Sequence, residues 1–173
     1  MQRRAALKNI ATAAGIMVLP AWANGWNKQT VSAAVSYLSQ SQDLVLAEMV
    51  ETIIPATDTP GAKALGVHNF VQKMITDCYE EEVQKNLVKG LNTAESLAKQ
   101  SFGTSFNACN TSQRIEVLTK MEQSGEADQK SFYSLIKDLT IQGYMTSEYV
   151  MTKHTKYTIV PGHYYGCVPV TTK

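Results

Sequence analysis

Between residues 67 and 78 the apolar side chains Val67, Phe70, Val71, Met74, Ile75 and Cys78 fall at i, i+3, i+4, i+7, i+8 and i+11. That spacing puts all of them on one stripe of a helix and is incompatible with the alternation of a half-buried strand. Immediately upstream stands Pro55-Ala-Thr-Asp-Thr-Pro-Gly61, with two prolines and a glycine in seven residues. Proline fixes φ and withholds an N–H, so this stretch is a set loop that separates one helix from the next. A chain that alternates such stripes with such breaks has few options besides helices packed against each other.

The rest of the sequence follows the same rule. Ser41 is a candidate cap for a first helix with Leu46, Val50 and Ile53 at helical spacing, stopped by Pro55. A helix from about Glu80 to Ser101 turns Val83, Leu87, Leu91, Ala94 and Ala98 inward and ends at Gly103. The run Glu80-Glu81-Glu82 suits its start, because negative charge favours a helix N-terminus. Asn110 or Thr111 caps a further helix burying Ile115, Leu118 and Met121. The last runs from about Asp128 to Gly143, with Phe132, Leu135, Ile136 and Leu139 on one face. The fold class is therefore all-α: a compact bundle of about five helices with an irregular C-terminal tail. The segments are a leader over 1–23, an N-terminal arm over 24–40, a helical domain over 41–149 and an extended tail over 150–173.

The leader has the parts of an export signal. Arg3, Arg4 and Lys8 supply charge, residues 10–19 a weakly apolar stretch, and Pro20 a break. Ala21-Trp22-Ala23 then offers a small-x-small cleavage sequence. Arg3-Arg4 followed by Leu7 and Lys8 resembles a twin-arginine signal, with Gln2 and Ala6 departing from the usual pattern. The alternative is an uncleaved anchor, since residues 9–27 carry no charge, although Asn9, Thr12, Gly15, Pro20 and Asn24 make a poor span. Without Arg3, Arg4 and Lys8 the 16 basic residues fall to 13, against 15 acidic ones. A slightly acidic body has no electrostatic footprint for nucleic acid.

Catalytic parts are scarce. His68, His154 and His163 show no metal-ligand spacing, and there is no glycine-rich phosphate loop and no nucleophile elbow. No catalytic, cofactor-binding or metal-binding residue is assigned. Of the three cysteines, Cys78 belongs to the apolar stripe and reads as a buried thiol. Cys109 sits in a loop and Cys167 in the tail. These two can bridge each other, or one can bridge to another chain. The tail is rich in tyrosine: Tyr144, Tyr157, Tyr164 and Tyr165 are four of the chain's eight. Tyrosine offers large amphipathic contact area at low entropy cost, so a Pro/Gly-braced segment of this kind suits a docking strap. It equally suits packing back on its own helices.

Several stretches, in order, resemble the small subunit, subunit 3, of membrane-associated gluconate 2-dehydrogenase and related flavoprotein dehydrogenases. They are Leu46-Ala-Glu-Met-Val-Glu-Thr-Ile-Ile-Pro55 with the loop through Gly61-Ala62, then Ala64-Leu65-Gly66-Val67 and Phe70-Val71. Leu139 to Tyr144 follows, before Thr146-Ser147-Glu148, and last Pro161-Gly162-His163-Tyr164 before Gly166-Cys167-Val168-Pro169. His68, His163 and the stretch 150–156 depart from the family's pattern.

The resemblance implies an accessory chain without an active site or cofactor of its own. Its large partner would carry FAD and oxidise a sugar, sugar acid or polyol, and a cytochrome c subunit with haem c can accompany them. The leader would take the folded partner through the twin-arginine translocase to the periplasmic face of the inner membrane. The residues expected to meet the partner are Pro55, Asp58, Pro60, Gly61, Tyr144, Ser147, Glu148, Pro161, Gly162, Tyr164, Gly166 and Cys167, with Cys109 and Cys167 available for an internal or inter-subunit disulfide. Two competing readings are a free-standing periplasmic helical binding protein for a small ligand and an independent enzyme using the histidines.

Overall fold

A computed structural model describes residues 37–160, 162, 166 and 167. The leader residues Arg3, Arg4, Leu7, Lys8, Ala21 and Ala23 and the tail residues Pro161 and Tyr164 lie outside it. From Leu38 onward the chain builds an all-α bundle, with no strand among the described residues. Its helices are α1 (Gln40–Ile53), α2 (Val67–Cys78), α3 (Glu81–Phe102), α4 (Thr111–Glu122), α5 (Ala127–Met145) and α6 (Glu148–Lys153). A single 3-10 turn, Phe106–Ala108, links α3 to α4.

The apolar stripes become the core. α1 contributes Leu46, Met49 and Val50, α2 contributes Val67, Val71 and Ile75, and α3 contributes Leu87, Leu91, Ala94 and Ala98. α4 supplies Val117, Leu118 and Met121, and α5 supplies Phe132, Ile136 and Leu139. Burying a side chain of Leu or Phe size is worth about 1.5–3 kcal/mol, so this cluster is the main source of stability. α1, α3 and α5 each pack on every other long helix. Among the described residues the fully buried polar side chain is that of Thr140, whose hydroxyl donates to the Ile136 carbonyl at 2.6 Å.

Several boundaries and faces differ from the sequence expectation, each for a visible reason. The cap of α1 is Ser39, not Ser41, because Gln42 stands three residues after Ser39 and closes a reciprocal capping box. Leu38 is already buried, so the arm ends before 38 instead of at 40. On α4, Ile115 is half exposed and Val117 is buried in its place. Arg114 donates inward to acceptors on α1 and the 3-10 turn, from the same face of the helix that buries Val117, Leu118 and Met121. Residues 148–153 are helical, not irregular: Ser147 accepts from the Val150 amide, and Val150 is buried. The tail therefore starts after Lys153.

The cysteines exchange their expected environments. Val67, Val71 and Ile75 face inward, but Cys78 sits at the exposed end of α2. Cys109 is buried behind Phe106, with its sulfur 3.4 Å from the Thr104 hydroxyl. Cys167 is exposed, and all three are free thiols.

Candidate functional site

The residues expected to meet a partner fall into two groups, and the structure brings most of the first group together. After α1, the chain turns through Pro55–Gly61 and feeds α2. Glu51, in the last turn of α1, holds both ends of this turn. Its carboxylate accepts from the Ala56 amide at 3.0 Å and from the Lys63 amide at 2.9 Å. Gly61 lies directly under that carboxylate, where a Cβ would collide with the Glu51 oxygens. The Ala62 amide donates to the Ile54 carbonyl at 3.0 Å, and the Thr57 amide to the Thr59 carbonyl at 3.0 Å. The loop is thus clasped from beneath, while Pro55, Ala56, Thr57 and Asp58 face solvent.

Tyr144 closes the clasp from the other side. Its phenol donates to the Pro60 carbonyl at 3.1 Å and lies 3.3 Å from the Thr59 hydroxyl. It reaches that position because α5 crosses α2 closely at Gly143, where a Cβ would stand 2.6 Å from the Phe70 ring. Ser147 is next in line: its hydroxyl donates to the Tyr144 carbonyl at 2.6 Å and caps α6. Glu148 is exposed in the first turn of α6.

A part-buried charge cluster braces the same corner. Glu48, one turn before Glu51, receives the Lys63 ammonium and the Arg114 guanidinium. Arg114 also donates to the carbonyls of Phe106 at 3.2 Å and Asn107 at 2.7 Å. Burial pushes the Glu48 carboxyl up, but the Lys63 hydrogen bond and the charges of Arg114 and Lys63 outweigh it, and the net displacement is downward. Sequence reasoning passed over Glu48, Glu51, Lys63 and Arg114 because it followed apolar periodicity. Both glutamates nevertheless stand in the Leu46–Pro55 stretch that carries the family resemblance.

The second group is different. Tyr157 is half exposed, Ile159 is 84% exposed and Val160 is 78% exposed. Gly162, Gly166 and Cys167 are exposed as well. The Tyr157 amide donates to the Met151 carbonyl at 2.8 Å, which ties the base of the tail to α6.

The carboxylates are committed to amides and cations, and among the described residues no group of three or more His, Cys, Asp or Glu could hold a metal ion. The cleft on the outer face of α3 is open to solvent and bordered by Lys85, Val88, Lys89, Asn92, Ser96 and Leu97. No helix among the described residues is long and apolar enough to cross a membrane.

Comparison with curated proteins and with solved structures finds no match. The family model described as gluconate 2-dehydrogenase subunit 3 matches residues 40–162, from the first turn of α1 to the exposed tail. The chain is thus of the kind that serves as an accessory subunit in a dehydrogenase complex. It belongs to the gluconate 2-dehydrogenase subunit 3 family.

Proposed function

We propose that this chain is the non-catalytic small subunit of an exported flavin-dependent sugar, sugar-acid or polyol dehydrogenase, and that it escorts and stabilises the catalytic subunit. The observation that carries the reading is the family match over residues 40–162, which includes both the clasped loop and the base of the tail. Three features support the finer parts. The Arg3-Arg4 leader suits export of an already folded, FAD-loaded partner lacking a signal of its own. The corner spends its polar groups internally, which suits a docking surface better than a reactive one. The tail leaves Ile159 and Val160 in water, and such apolar exposure is relieved when a partner covers it.

A partner that binds only the folded flavoprotein stabilises it by mass action, so one contact serves both roles. We assign the inter-subunit disulfide to Cys167, whose thiol is exposed, rather than to the buried Cys109. The complex resides at the periplasmic face of the inner membrane, and a cytochrome c subunit takes the electrons onward.

Export tests the escort directly. Replacing Arg3 and Arg4 with lysine in the native organism should leave both this chain and its flavoprotein in the cytoplasm. A flavoprotein that still reaches the periplasm in normal amount would contradict the escort role. Non-reducing electrophoresis of the purified complex tests the disulfide: loss of a combined-mass band in Cys167→Ser is expected, and a single-chain mass in the wild type would refute it.

A further inference from the structure

The loop after α1 and the segment after α5 are remote in sequence, yet one side chain joins them. The Tyr144 phenol grips the Pro60 carbonyl 84 residues away. The carbonyl of the same residue accepts both the Ser147 hydroxyl at 2.6 Å and the Ser147 amide at 3.1 Å. Ser147 then caps α6 through the Val150 amide at 3.4 Å and accepts the Met151 amide on its carbonyl at 3.0 Å. At the far end of α6 the Val150 carbonyl accepts from the Thr155 amide and the Met151 carbonyl from the Tyr157 amide. An unbroken run of hydrogen bonds therefore leads from Pro60 to Tyr157. Exposed surface lies at both ends: Pro55–Asp58 at one, and Tyr157, Ile159 and Val160 at the other.

The geometry points to Tyr144 and Ser147 as positioning residues that set the loop and the base of the tail relative to each other, so that they dock on the flavoprotein subunit as one two-part surface; this rests on the functional reading above. The sequence alone placed Tyr144 at the partner contact. Its half-buried ring and internally committed hydroxyl assign it instead to the inside of the docking device. The physical advantage is preorganisation. A partner that grips two elements already fixed with respect to each other avoids the ordering cost of bringing them together. The second contact then forms at the high effective concentration set by the first.

Two measurements separate this coupling from the functional reading. The first needs no partner: hydrogen exchange on the full-length subunit, comparing wild type with Tyr144→Phe, which removes only the phenolic oxygen. Loss of one hydrogen bond should accelerate exchange about fivefold at the loop amides of Thr57 and Ala62, and also at the tail amides of Thr155 and Tyr157. The amides in the middle of α3 should be unaffected. Acceleration at the loop with an unchanged tail would overturn the coupling.

The second is the dissociation rate of the complex. Tyr144→Phe and Ser147→Ala should each raise it about fivefold or more, and Ser147→Thr, which keeps a capping hydroxyl, should restore it. In a background carrying both Ile159→Ser and Val160→Ser, Tyr144→Phe should add little. Equal fold-changes in the two backgrounds would show that Tyr144 does not act through the tail, and would refute the proposal. If the wild-type subunit binds no flavoprotein, the functional reading fails, while the exchange result still decides whether the loop and tail are coupled.

Discussion

The clasped loop and the tail treat their exposed groups in opposite ways. At the loop, the groups that hold the turn from beneath are already bound within the chain. Glu51 takes two backbone amides, Glu48 takes two cations, and Tyr144 takes the Pro60 carbonyl. Beyond α6 the backbone amides of His154, Thr155 and Tyr157 still tie back to the helix, and the chain then places Ile159 and Val160 in water. The two regions follow different economies. The loop is ordered by contacts this chain supplies itself, so its shape exists before any encounter. The tail leaves apolar surface in water, which the proposed function assigns to contact with the partner subunit.

The contrast breaks most visibly at Arg114. Arg114→Ala removes a guanidinium that serves Glu48 and two backbone carbonyls, and should cost about 3 kcal/mol in urea unfolding of the free subunit. Glu51→Ala leaves the Ala56 and Lys63 amides without their acceptor and should cost about 2 kcal/mol, with faster exchange confined to the loop.

Acid sharpens the account of the corner. The Glu48 carboxyl titrates below the ordinary glutamate value of about 4.3, so its stabilising contribution is fully present above that pH. The contribution is lost as pH falls through the lowered folded value. Glu48→Gln should therefore lower stability at neutral pH and flatten the decline of stability below about pH 4.3. A mutant curve parallel to wild type through that range would contradict the role assigned to Glu48.

The smallest effect is expected in the tail. Ile159→Ser should change the stability of the free subunit by less than about 0.5 kcal/mol, because the side chain is in water before and after unfolding. The same substitution should weaken the complex measurably. A destabilised free subunit would mean that Ile159 packs on its own helices.

Sequence periodicity located the five long helices because each buries a stripe, and a stripe repeats. It failed where repetition is too short or where a polar group decides. α6 has six residues, fewer than two turns, and only Val150 is buried. On α4 both Ile115 and Val117 fall near Leu118 and Met121 on the helix, and the observed face takes Val117 together with the inward-donating Arg114. Cys78 ends the stripe on α2, but a helix end can leave the bundle while its apolar spacing continues. The Ser39 cap was legible in Ser39-x-x-Gln42, a pattern that outranks Ser41 once the capping box is considered.

Of the candidate site, Pro55–Gly61, Tyr144 and Ser147 were legible from the residues that resemble the family, and they do converge. Glu51 was not, because a carboxylate that accepts from backbone amides leaves no pairing pattern in the sequence.

The central claim is that this chain exists to hold a flavoprotein. The most direct test is affinity purification of the tagged chain from its native periplasmic and membrane fractions, with an absorbance spectrum and a mass measurement of the eluate. The account predicts a yellow eluate in which one larger flavin-containing chain is present in near-equal amount. A colourless, solitary chain from both fractions would contradict it and would favour a free-standing binding protein.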